Sequence, residues 1–123
     1  MFDISLKTQF SAGHHLRNYP GNCEMPHGHN WDVTVTVRAK DLDELGMGID
    51  FRQIKTALKS VIAELDHKNL NEHPVFKAQN PSSENLAVHI YHALKDGLTS
   101  GHHQIHAVTV SETPNSWVTY IED

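Results

Sequence analysis

The sequence is poor in cysteine and in positive charge, and it contains no long apolar run. A single cysteine among 123 residues excludes an internal disulfide, which is typical of a reducing compartment. Ten Lys and Arg against 15 Asp and Glu give a formal charge of −5, which argues against a nucleic-acid binder because phosphate contacts need clustered cations. No apolar stretch approaches the roughly 20 residues that cross a bilayer. The first residues resemble no export signal, so we expect a cytoplasmic protein.

Histidine is the abundant residue, with 11 copies. Such an excess is consistent with a metal site, with a pH-sensitive surface or with chance. The length fits one domain over residues 1–123.

Hydropathy periodicity predicts an α+β fold in the order ββααββ. Apolar residues alternate in four segments, which are therefore predicted strands: residues 2–10, 31–39, 105–112 and 117–122. Two helices are predicted, one capped by Asp50 and reaching Leu65, the other capped by Ser82 or Ser83 and ending near Gly97. Residues 66–82 are predicted to be the connection between the two helices. We expect a four-stranded antiparallel sheet with both helices on one face.

Three histidines flank the long loop between the first two strands. His27 and His29 have the parity of Trp31, so an extended entry into the second strand points both rings to the apolar face. His14 has the parity of the first strand's apolar face. Three imidazoles suit Zn²⁺ and leave a fourth position open. The alternatives are rim histidines without a metal, and His15 in place of His14, although its parity is opposite.

Three further residue sets are ambiguous from the sequence. Cys23 precedes His27 in the same loop and could be a buried apolar residue, an activated thiolate or a fourth ligand. Asp66 and His67 could form a proton-transfer pair if the chain has left helical geometry there, or a solvated helix end. Glu112 could sit at the rim of the apolar face or in solvent. The tract His102, His103 and His106 is interpreted as a solvated turn.

Six short motifs, taken in order, resemble the 6-pyruvoyl-tetrahydropterin synthase family, which includes a queuosine-pathway branch of 6-carboxy-tetrahydropterin synthases. The resemblance covers essentially the whole chain. The motifs are Phe10-Ser11-Ala12-Gly13-His14, Cys23-x-x-x-His27-Gly28-His29-Asn30, Ile49-Asp50-Phe51, Leu65-Asp66-His67-Lys68-Asn69-Leu70-Asn71, Pro81-Ser82-Ser83-Glu84-Asn85 and Ser111-Glu112-Thr113.

The resemblance implies a role for each motif. It implies a zinc ion held by His14, His27 and His29. It implies catalysis by Cys23, Asp66, His67 and Glu112, with substrate binding by Glu112, Glu84 and Ser83. It also implies the tunnelling fold (T-fold), whose subunits join their sheets into barrels, commonly as hexamers of two stacked trimers with active sites between subunits.

The resemblance further implies 7,8-dihydroneopterin triphosphate as substrate. The three-residue gap between Cys23 and His27 and the intact Ile49-Asp50-Phe51 favour the queuosine branch, in which acetaldehyde and triphosphate leave and a 6-carboxyl remains. The alternative is the biopterin branch, which forms 6-pyruvoyl-tetrahydropterin. His15 and Ser111 depart from the family pattern, in which arginine and a larger residue are common. A non-catalytic metal- or pterin-binding module is a more remote alternative.

Overall fold

The computed structural model describes residues 1–19 and 25–123. Its strands are β1 (Phe2–His14), β2 (His27–Ala39), β3 (Lys68–Asn69), β4 (His103–Thr113) and β5 (Ser116–Tyr120), and its helices are α1 (Phe51–Ala63) and α2 (Ser83–Lys95). Two 3₁₀ turns, Leu70–Glu72 and Pro74–Phe76, lie between β3 and α2. Neither helix of this part of the chain is long and apolar enough to cross a membrane.

The predicted α+β class and the order of the long elements are confirmed, but a fifth strand lies between the helices, and the sheet has the order β3-β1-β2-β4-β5. The additional strand, β3, falls in the segment that the sequence indicated to be a connection. It is only two residues long and pairs in parallel with Ala12 and Gly13 of β1. The other strand pairs are antiparallel, as predicted.

Strands β1 and β2 extend further than their periodicity indicated. Their ladder runs from the pair Phe2 and Ala39 to the pair Gly13 and Gly28 and ends at the pair His14 and His27. The two strands are therefore separated by 15–26 in the numbering, a shorter separation than predicted. Because the ladder continues to its last residues, the histidines lie on regular strand backbone instead of in a turn.

One face of the sheet and both helices enclose a single apolar core. Trp31, Val33 and Val35 of β2 are completely buried in it, as are Ile54 of α1 and Ile90 of α2. Burial of such side chains contributes about 1.5–3 kcal/mol each. The core therefore fixes the strand ends that carry the histidines.

Side-chain caps begin both helices where the sequence indicated. Asp50 Oδ1 accepts a hydrogen bond from the Arg52 amide at 2.8 Å, and Ser82 Oγ accepts one from the Asn85 amide at 3.1 Å. Of the two candidate caps for α2, Ser82 is thus the observed one. Helix α1 ends at Ala63, so Leu65 is buried in the following turn rather than in the helix.

Candidate metal centre and neighbouring acid–base pair

The three predicted histidines converge where β1 and β2 end. His14 lies directly opposite His27 in the ladder, and His29 lies opposite Ala12, two residues further along. Their ring centroids are 4.7 Å apart for His14 and His27, 5.3 Å for His14 and His29, and 4.6 Å for His27 and His29. The parity argument for these three side chains therefore agrees with their placement.

Trp31 forms the floor beneath the histidines. Its ring contacts those of His14 and His29 edge-on, with centroids 4.8 Å and 5.5 Å away, and is parallel to that of Phe10 at 6.0 Å. The indole Nε1 donates to the Ala12 carbonyl at 3.2 Å. This floor is rigid because Trp31 is completely buried and hydrogen bonded.

Backbone carbonyls fix the orientation of two of the imidazoles. His14 Nδ1 donates to the Pro81 carbonyl at 2.8 Å, and His27 Nδ1 donates to the Met25 carbonyl at 3.0 Å. Because a carbonyl can only accept, the proton of each ring is on Nδ1 and Nε2 is the unprotonated nitrogen. This is the arrangement that metal-ligating histidines commonly show.

Glu112 completes the cluster from β4. Its Oε2 lies 3.2 Å from His29 Nε2 and 3.8 Å from His14 Nε2, and its Oε1 accepts a hydrogen bond from Ser83 Oγ at 3.0 Å. The carboxylate therefore points inward from the end of β4. The sequence left this open, and of its two alternatives the structure favours the apolar-face rim over solvent.

The donor set fits a transition-metal ion. His14, His27, His29 and Glu112 each offer a donor atom, and these four atoms lie within 4.8 Å of one another. Within the described chain, the buried Nε2 atoms of His14 and His29 have no hydrogen-bond partner. Burial lowers the pKa of His14, which favours the neutral imidazole that ligates metals.

Asp66 and His67 form a second group beside β1. His67 Nδ1 is 3.0 Å from Asp66 Oδ1, and the same oxygen accepts a hydrogen bond from the Ser11 amide at 2.9 Å. His67 has φ of 57°, and its amide donates to the Ser11 carbonyl at 2.6 Å, so the chain has left helical geometry. A surface depression of about 400 Å³ is lined by both His67 and His29.

Hydrogen bonds from the Ser11 amide and from His67 favour the ionised form of Asp66. The Ser11 amide, the largest influence, lowers the pKa of this carboxyl, and His67 lowers it further. Asp66 is therefore ionised at neutral pH. The His67 ring is 81% exposed, which leaves it open to a ligand.

The remaining predicted residues divide into three cases. Ser83 contacts Glu112 directly, whereas Glu84 is exposed in the first turn of α2 and does not belong to the four-donor cluster. His15 also lies outside that cluster, as its parity indicated. Cys23 lies outside the described residues.

A second donor group, formed by Glu64, His73 and His89, is less suited to a metal. Its donor atoms lie within 4.8 Å of one another, and His73 Nε2 is 3.9 Å from Glu64 Oε2. The Val75 amide, however, donates to His73 Nδ1 at 3.2 Å, so the ring proton is on Nε2. A metal ion bound at Nε2 would need the opposite tautomer, with the proton on Nδ1.

The sequence did not predict the groups that hydrogen bond to His14 and to the backbone after it. The Pro81 carbonyl is a backbone atom 67 residues from His14, and no side-chain pattern marks it. Asn71 and Asn80, which bond the backbone after His14, lie in the segment interpreted as a connection. Asn71 was in one of the six motifs, but its residue type alone indicated no role.

A family model described as 6-pyruvoyl tetrahydropterin synthase matches residues 3–123. The chain belongs to this family. Its relatives include proteins of both kinds named above. A 6-carboxy-5,6,7,8-tetrahydropterin synthase of Rickettsia bellii is 29% identical over 96% of this chain and 99% of its own length. A 6-pyruvoyl tetrahydrobiopterin synthase of Homo sapiens is 34% identical over 95% of this chain and 89% of its own.

Solved structures of the family share the fold. The 6-pyruvoyl tetrahydropterin synthase of Caenorhabditis elegans superposes with a TM-score of 0.85, at 27% identity, over 99% of this chain and 96% of that one. The Plasmodium falciparum protein gives 0.78 at 22% identity, over 98% and 97% of the two chains. The alignments thus cover nearly all of this chain and of both solved chains.

Proposed function

We propose that the protein is a zinc-dependent lyase that converts 7,8-dihydroneopterin triphosphate to 6-carboxy-5,6,7,8-tetrahydropterin, with release of acetaldehyde and triphosphate. The observation that carries the proposal is the convergence of His14, His27 and His29 beside Glu112, with Asp66 and His67 nearby. A non-catalytic binding module would need the histidines and Glu112, but it would not need Asp66 and His67. Membership of a tetrahydropterin synthase family supports the same conclusion.

Zinc would be held by the Nε2 atoms of the three histidines. Two of those rings already donate through Nδ1, so Nε2 is their unprotonated nitrogen. When bound, zinc would supply Lewis-acid stabilisation of negative charge on the substrate's side-chain oxygens. The Glu112 carboxylate is close enough to His29 to be a further ligand or to be displaced toward the pterin.

The remaining residues would bind the substrate and move protons. Ionised Asp66 orients His67 through the 3.0 Å contact, so that Nε2 of the exposed ring can take or give a proton. Cys23, four residues before His27, would act as a thiolate base. Glu112, held by Ser83, would accept hydrogen bonds from pterin N–H groups, and Glu84 would contribute to the substrate pocket.

The choice of branch depends on the sequence motifs. The three-residue gap between Cys23 and His27 supports the carboxy product. Ile49-Asp50-Phe51 is weaker support, because Asp50 caps α1 and Ile49 is buried, which gives this motif a structural role. Since relatives of both kinds resemble the chain to a similar degree, formation of 6-pyruvoyl-tetrahydropterin is the second candidate.

We further propose a homo-oligomer, as a hexamer of two stacked trimers, in which subunits join their sheets into barrels. Two sheet edges support this proposal. Within the described residues, β3 covers only Ala12 and Gly13 of β1, and β5 has a single neighbour, β4. Pairing between copies would satisfy the backbone groups of these edges.

Product analysis tests the function. Purified protein is incubated with 7,8-dihydroneopterin triphosphate, with and without a chelator, and the products are identified by mass spectrometry. Carboxy-tetrahydropterin and acetaldehyde are expected only in the metal-loaded sample. Pyruvoyl-tetrahydropterin would establish the second candidate, and no triphosphate release by metal-loaded protein would favour a binding module.

The zinc content of the same protein preparation tests the metal assignment. His27→Ala should lose stoichiometric zinc, measured by elemental analysis, whereas Cys23→Ala should retain zinc but not turn over. Full retention of zinc by His27→Ala would contradict the ligand set.

A further inference from the structure

The chain beyond β1 is held by an asparagine side chain that takes the place of a neighbouring strand. The His15 amide donates to Asn71 Oδ1 at 2.9 Å, and Asn71 Nδ2 donates to the His15 carbonyl at 3.0 Å. One amide side chain thus satisfies both backbone groups of the residue that follows the predicted ligand His14. Asn71 is itself 7% exposed, so these bonds are partly shielded from water.

Asn80 repeats the arrangement two residues further along. The Arg17 amide donates to Asn80 Oδ1 at 2.8 Å, and Asn80 Nδ2 donates to the Arg17 carbonyl at 3.1 Å. We call Asn71 and Asn80 the asparagine clamps. Both come from the segment between β3 and α2, so this segment and the end of β1 form one hydrogen-bonded unit.

The Arg17 side chain joins the two clamps. Its guanidinium donates to the Asn71 carbonyl at 3.0 Å and to the Gln79 carbonyl at 3.1 Å. The Asn80 carbonyl in turn accepts from Asn85 Nδ2 of α2 at 2.8 Å. The position of this unit is therefore fixed relative to the start of α2.

The ring of His14 is hydrogen bonded to the segment that the clamps hold. The residue after Asn80 is Pro81, whose carbonyl accepts the Nδ1 proton of His14 at 2.8 Å. Backbone and ring of His14 are thus both tied to the clamped segment: the backbone through the adjacent His15, the ring through Pro81. A shift of this segment would move the Pro81 carbonyl and change the direction of the Nε2 lone pair.

We propose that Asn71 and Asn80, joined by Arg17, are positioning residues that orient His14 for metal binding; this inference rests on the proposed metal site. An amide is required at both clamps because it offers a donor and an acceptor on one rigid plane. A carboxylate of the same shape keeps the acceptor but turns a second oxygen toward the backbone carbonyl. The two oxygens repel each other, so each Asn→Asp variant should lose the hydrogen bond that the asparagine side chain donates to the backbone carbonyl.

Metal affinity and Co²⁺ absorption spectra test the proposal in the full chain. The variants are Asn71→Asp, Asn80→Asp and Arg17→Gln, and Gln53→Glu on the exposed face of α1 is the control for the same charge change. Loss of partners that orient a ligand typically costs 10–100-fold in metal affinity, so we expect roughly tenfold weaker binding and an altered Co²⁺ spectrum in the three variants. Gln53→Glu should match the wild type.

The outcomes separate the two proposals. If the wild-type protein itself binds neither Zn²⁺ nor Co²⁺, the proposed metal function fails. If it binds, but folded Asn80→Asp and Arg17→Gln keep the wild-type affinity and spectrum, the positioning role is overturned even where their melting temperatures fall. Asn80 and Arg17 are only partly buried, so these two variants remain informative if Asn71→Asp does not fold.

Discussion

At the scale of single residues, Asp66 and His67 are held together by a backbone conformation that few non-glycine residues adopt. His67 has φ of 57°, a left-handed conformation that costs a non-glycine residue about 1–2 kcal/mol. The hydrogen bonds between Ser11 and residues 66 and 67 hold the chain in that conformation. Strain of this kind is found preferentially at functional sites, which fits the proposed proton transfer.

Asp66→Asn separates the charge of Asp66 from its structural contact. The amide oxygen can still accept the Ser11 hydrogen bond, so we expect the fold and bound zinc to be retained. The negative charge beside His67 is lost, and turnover should fall by about 10²-fold, at the lower end of typical general acid–base contributions. Steady-state kinetics and elemental analysis measure the two quantities.

The matched control for this variant is Asp3→Asn. Asp3 also contacts a basic side chain, that of Arg38, at 2.8 Å, but it lies at the other end of β1. The Asp3→Asn substitution should leave turnover unchanged. Equal turnover of Asp66→Asn and the wild type would contradict the assigned role.

At the scale of elements, periodicity and caps identified the long strands and both helices, but not the full length of β1 and β2. Strand β3 could not be predicted because two residues carry no period, and its parallel pairing with Ala12 joins segments 56 residues apart. Parity placed His14 and His29 on the correct face, since a strand has only two faces. The Pro81 carbonyl and the asparagine clamps depend on tertiary contacts, which a single sequence does not reveal.

The loop between β2 and α1 approaches the sheet so closely that one position requires glycine. A Cβ on Gly48 would lie 2.8 Å from Ala39 Cβ and 2.8 Å from Ile4 Cδ1. Ala39 cannot withdraw without moving the backbone of β2. Gly48→Ala should therefore lower the free energy of unfolding by about 1–3 kcal/mol, as over-packing usually does.

Chemical denaturation measures that loss, and Gly101→Ala is the control. A Cβ at Gly101 would meet no atom within 4 Å, and its backbone lies outside the left-handed region. Gly101→Ala should thus be close to neutral. Similar stabilities for the two variants would show that the loop can move away from the sheet.

At the scale of the whole molecule, the two sheet faces differ in chemistry. The face against the helices is apolar, whereas the other carries cross-strand polar pairs such as Asp3 with Arg38, Ser5 with Thr36 and Thr109 with Thr119. Over the described residues, the sheet has one polar face and two edges that are largely unpaired, which suits closure into a barrel around water. The oligomer proposed above would use both properties.

The pH dependence of stability is a further whole-molecule property, and His89 contributes to it. Burial, the largest influence, lowers the pKa of His89 below its ordinary value of 6.5; nearby His73 lowers it further, and Glu64 opposes the shift. The unfolded chain therefore binds this proton at a higher pH than the folded one. Stability should fall as the pH drops below about 6.5, with a slope from this group of at most about 1.4 kcal/mol per pH unit.

His89→Phe should remove that part of the slope. The ring of Phe can keep the edge contact with Phe76, whose centroid is 5.8 Å away, but it binds no proton. Denaturant unfolding of the chelated protein at pH 5–7.5, at one protein concentration, gives the slopes. The control is His102→Gln, at an exposed turn position, which should retain the wild-type slope. An unchanged slope in His89→Phe would mean that the half-buried imidazole takes up its proton without destabilising the fold.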